Sequence, residues 1–69
     1  MAWQVIRRFD TEGADLWEGR DAHDRPVYAV TRRVEEMRVE PSGPGLYSMK
    51  AALARFNAER FLSRPNERR

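Results

Sequence analysis

Pro41-Ser42-Gly43-Pro44-Gly45 divides this chain into two parts with different hydrophobic periods, and that division decides the fold. The prolines fix φ and withhold backbone donors, while the glycines relax the usual steric limits, so the stretch reads as loop. Beyond it, Ser48 stands where a helix N-cap belongs, ahead of a run from Met49 to Leu62 that contains four alanines, the best helix formers. Pro65 disfavours helical geometry at Arg64, which sets the expected domain at 1–64 and leaves 65–69 as a basic, frayed tail. On a helical wheel Met49, Ala52, Leu53 and Phe56 form one apolar stripe, expected to cover a sheet. Ala51, Ala54, Ala58, Phe61 and Leu62 form a second on nearly the opposite side; the first reading is that the alanines serve helix formation while Phe61 and Leu62 tuck under the sheet end, the other a partner surface or a homodimer through this C-terminal helix.

Before the loop the period is two. Trp3 to Phe9 alternates as a strand, with Trp3, Val5 and Phe9 on one face and Arg7 as the intruder. Asp10 to Asp15 reads as a polar turn in which Gly13 supplies a positive φ, Leu16 to Arg20 as a second strand, and Asp21 to Pro26 as the next turn. Val27 to Arg32, rich in β-branched and aromatic residues, is a third strand. Glu36 to Glu40 is read as a fourth, ending before Pro41; helical spacing of Val30, Val34 and Met37 competes with it, but no capping box supports a helix. Trp3 and Trp17 are expected to face one another across the first hairpin as core. The expected fold is therefore α+β: a small antiparallel meander of three or four strands packed by one C-terminal α-helix.

Composition bounds what such a domain can do. In 69 residues there are 20 large apolar or aromatic side chains, enough for one small core but not for one enclosing a deep substrate cavity. The absence of cysteine removes disulfides and thiolate zinc sites, leaving packing or a partner to stabilise a marginal domain. No apolar run approaches a membrane span and the N-terminus lacks a secretory pattern, so cytoplasmic residence is the expectation. His23, the one histidine, sits between Asp21 and Asp24, a pattern well short of metal-ligand spacing. Ser42 and Ser48 lack a nucleophile context. The chain is accordingly expected to work without cofactor or metal and not as an enzyme.

Charge is unevenly spread. The net +2 conceals residues 10–24, with six acids against one arginine, and residues 41–69, with six bases against two acids. Twelve of the thirteen bases are arginine, suited to bidentate contacts with carboxylates or phosphates. The leading expectation is a protein-binding module, regulatory or inhibitory, of the kind that phages and mobile elements encode against host defence proteins. Its expected contact residues are Trp17, Arg20, Tyr28, Arg32, Arg33, Arg55, Arg60 and Phe61. The alternative is nucleic-acid binding, with Arg7, Arg32 and Arg33 beside Trp17 or Tyr28 on an exposed sheet face. In element order, residues 3–62 resemble the β-β-β-α arm-binding domains of phage integrases and the plant ethylene-response DNA-binding domain; that resemblance implies a sheet laid into a major groove.

Overall fold

In the computed structural model, which describes residues 2–9 and 13–62 (61 and 62 by backbone alone), the first strand is far shorter than its alternation predicts. It comprises Gln4–Val5, β1, and the chain then tightens into a 3-10 turn over Arg7–Phe9. The Ile6 amide still donates to the Leu16 carbonyl at 2.8 Å, so the ladder runs one residue beyond β1. Turning there instead carries Phe9 to an edge-to-face contact with Phe56, ring centroids 6.1 Å apart.

The next strands, β2 (Ala14–Arg20) and β3 (Pro26–Arg32), form an antiparallel hairpin paired from Ala14 with Arg32 to Arg20 with Pro26, and β1 pairs with the other edge of β2. The sheet order is β1-β2-β3, the expected meander. Gly13 has a φ of 89°, the positive value that its turn requires. The turn before β2 is shorter than expected at its far end, however: Ala14 and Asp15 belong to the strand and both are buried.

Helix α1 (Met49–Leu62) starts where the N-cap predicts, with Ser48 Oγ accepting the Ala51 amide at 3.1 Å. Its first stripe is the one buried on the sheet. Ala52 and Phe56 close a core with Ala14 and Leu16, and Ile6, Phe9, Tyr28, Val30, Leu46, Met49 and Leu53 pack around it. Of the second stripe, Ala51, Ala54 and Ala58 are exposed, while the Phe61 and Leu62 side chains and the tail at 65–69 lie outside the described residues.

No fourth strand forms at Glu36 to Glu40 among the described residues, nor does a helix. Val34 and Met37 instead make an isolated bridge, and a second one joins Tyr28 to Leu46 on the outer edge of β3. Between these points the chain passes along the face of the sheet away from α1. It touches that face at Asp15 through Arg33 and Arg38, and again at Gly45, where a Cβ would collide with the Val27 side chain and lie 3.1 Å from the Trp3 ring. Only glycine permits so close a crossing. Trp3 does not pair directly with Trp17, whose partner on β1 is Val5; it lies over Gly19 instead.

Candidate docking site

Pleating sends adjacent residues of β2 to opposite faces. Ala14 and Leu16 therefore face α1, and Asp15 faces away, its side chain 0% exposed. A carboxylate so placed is stable only if paired, and two guanidiniums reach it from the stretch after β3. Arg33 donates from Nε to Asp15 Oδ2 at 3.1 Å and from Nη2 to Oδ1 at 2.8 Å, a bidentate fork, and Arg38 donates from Nε to Oδ1 at 3.0 Å. Burial by itself raises the carboxyl's pKa, but the hydrogen bonds and charges of Arg33 and Arg38 together outweigh it and hold the group below its ordinary value.

Between the two arginines the chain reverses on itself. The Val34 amide donates to the Met37 carbonyl at 3.0 Å and the Met37 amide to the Val34 carbonyl at 2.9 Å, leaving Glu35 and Glu36 as the central pair of a two-residue turn. Their φ values are 52° and 68°, left-handed at both positions, the pattern of a type I′ hairpin turn that Asn-Gly adopts readily. For side chains with a Cβ this conformation costs roughly 1–2 kcal/mol per residue. The flanking pairs explain its persistence: Arg33 and Arg38 are tied to one buried carboxylate, and Val34 and Met37 to each other.

The result is an apolar tip held out in solvent. Val34 is 61% exposed, Met37 69% and Val39 40%, and Glu35, Glu36 and Glu40, also exposed, are interleaved with them. Neither the buried acid nor the tip was among the expected contact residues. The available signal was a mirror in the sequence, Arg33-Val34-Glu35-Glu36-Met37-Arg38, in which like residues flank a central pair. Such symmetry suits a hairpin, but Glu-Glu lacks the turn chemistry that announces one.

The expected contact residues are dispersed by the fold. Trp17 is only 8% exposed and its Nε1 donates to Thr31 Oγ1 at 2.8 Å, so it is core rather than anchor. Tyr28 opposes Glu18 while Trp17 opposes Ala29, which places the two aromatics on opposite faces of the sheet. Arg32 and Arg33 are separated in the same way: Arg32 pairs with Glu59 of α1 at 3.3 Å, and Arg33 is committed to Asp15. Arg20 donates to the Asp24 carbonyl at 3.1 Å; it shares with Tyr28, Gln4 and Glu18 an open depression beside the end of β2. Arg60 lies with its guanidinium carbon 6.0 Å from the Phe56 ring centroid, Arg55 is exposed on α1, and the Phe61 side chain is outside the described residues.

The turn carrying His23 is organised by Asp21, which accepts the amides of His23 and Arg25 at 2.8 and 2.9 Å on one oxygen and the Arg25 Nε and Tyr47 hydroxyl on the other. The Arg25 amide leads the set that draws the Asp21 carboxyl down to about 2, with the His23 amide, the Tyr47 hydroxyl and the Arg25 side chain adding to it. That carboxylate is structural, and among the described residues no group of three or more His, Asp or Glu is placed to hold a metal ion. Nor is any described helix long and apolar enough to cross a membrane. No protein-family model matches the chain, and neither does any curated protein or solved structure.

Proposed function

We propose that the chain is a non-enzymatic protein-binding module whose docking element is the turn at 34–39. One observation carries this reading: a backbone-strained turn, clamped from both sides onto buried Asp15, presents Val34 and Met37 to solvent. Strain that the surrounding structure maintains at an exposed site points to function rather than to folding. A turn whose backbone is already tied in place has less ordering cost left to meet on binding. A module with one such element acts by occupying its partner's surface, in keeping with a regulatory or inhibitory role. Nucleic-acid binding, the alternative, draws no support from the sheet faces, because α1 covers one and the segment at 33–45 crosses the other.

The test is a nuclease-treated affinity capture from the native host lysate with the wild-type chain and with Val34→Thr/Met37→Gln. Both substitutions lie on exposed side chains and should change stability by no more than about 0.5 kcal/mol, which a thermal melt verifies. A saturable protein partner held by the wild type should be held at least about tenfold more weakly by the double variant, as expected on losing a central apolar anchor. Equal retention by the two chains sinks the assignment of the site.

A further inference from the structure

Resting on that docking reading, we infer that the surface receiving the turn is an apolar pocket rimmed by lysine or arginine on a partner protein. From 33 to 40 the chain carries Arg33 and Arg38 against Glu35, Glu36 and Glu40. Both arginines direct hydrogen-bonding nitrogens inward to Asp15, at 2.8 and 3.0 Å, so that one buried carboxylate engages the two cations of the segment. The three glutamates are exposed. With Asp15 counted, two guanidiniums face four carboxylates, so the local charge around the apolar centre is −2 even though Arg38 is itself 38% exposed, on a chain whose net charge is +2.

Charges at the rim of an apolar anchor act on encounter: they accelerate association with a surface of opposite sign and disfavour one of like sign. A pocket without basic groups would leave the glutamates beside Val34 and Met37 partly desolvated and unpaired, which opposes binding. A basic rim converts them into charge-assisted pairs. A second copy of this chain is the competing occupant, since α1 exposes Lys50 and Arg55. Among the described side chains of α1, the exposed apolar residues are Ala51, Ala54 and Ala58, too small to form a pocket for methionine.

The probe is the protein retained by the wild-type chain, purified and measured by surface plasmon resonance against the wild type, Glu35→Gln/Glu36→Gln/Glu40→Gln and Val34→Thr/Met37→Gln. Soluble poly-L-glutamate and poly-L-lysine serve as competitors. For the glutamine variant, association should slow at least about tenfold and lose most of its dependence on salt between about 50 and 500 mM. Poly-L-glutamate should compete by occupying the basic rim and poly-L-lysine by occupying the acidic tip, and failure of both to compete overturns the basic rim. Unchanged association of the glutamine variant overturns the basic rim, and if Val34→Thr/Met37→Gln still abolishes binding, the docking reading survives alone. A retained protein that proves to be this chain itself overturns the assignment to a different partner, and failure of the wild type to retain any protein overturns both readings.

Discussion

The two faces of β2 differ in what anchors them. On one side Ala14 and Leu16 meet Ala52 and Phe56 in an apolar core; the other buries Trp17 as well, but its anchor for the chain after β3 is ionic, Asp15 meeting Arg33 and Arg38. Apolar burial is non-directional and tolerates small shifts of the helix. The carboxylate accepts only from donors at defined positions, so it specifies where the segment after β3 must pass. The helix-covered face thus secures the fold, and the ion cluster at Asp15 secures the conformation of one exposed turn.

Three perturbations sharpen that contrast. Phe56→Ala should have the largest effect, a loss of about 3–5 kcal/mol, because the ring is buried and little else in so small a core can replace it. Thermal denaturation followed by circular dichroism should show a broad, early transition or none. An ordinary cooperative melt near the wild-type temperature would mean that the helix face does not dominate stability.

Asp15→Asn should cost about 3 kcal/mol, the lower end for breaking a buried pair, since Arg33 and Arg38 remain partly solvated. Its particular signature is a change in acid sensitivity. The folded-state pKa of Asp15 is depressed and that of Asp21 falls to about 2, so both contribute stability above the ordinary carboxylate pKa and lose it as pH falls through their folded values. Wild-type stability should decline below about pH 4, and the asparagine variant should decline less steeply. Parallel acid limbs for the two proteins would remove Asp15 from that account.

Glu35→Asn/Glu36→Gly should have the smallest effect and the opposite sign, stabilising the chain by about 1 kcal/mol as residues suited to left-handed geometry replace two that are not. An equilibrium urea titration measures it. Destabilisation would show that the turn is not held in this conformation by its flanking arginines.

The contrast also explains which parts of the molecule were legible in advance. Helix α1, its cap at Ser48 and the β2–β3 hairpin follow from local preferences that all agree, so alternation, alanine content and breakers suffice to find them. The stretch from 33 to 40 does not follow, because its conformation answers to a residue some twenty positions earlier. Asp15 looked like a turn former from its neighbours, and Glu36 like the start of a strand. The expected contact residues are dispersed for a related reason: Arg32 and Arg33 are adjacent in sequence and, through the pleat, far apart in direction.

By itself, the sequence determined the element order, the loop that separates sheet from helix, and the helix face that would be buried, since each rests on short-range sterics and on the period of the apolar residues. Only the tertiary structure decided that a carboxylate would be buried, that two arginines would turn inward to meet it, and that Val34 and Met37 would consequently point outward. Ion pairing acts through space, and no pattern of neighbours along the chain records which charges the fold will bring together.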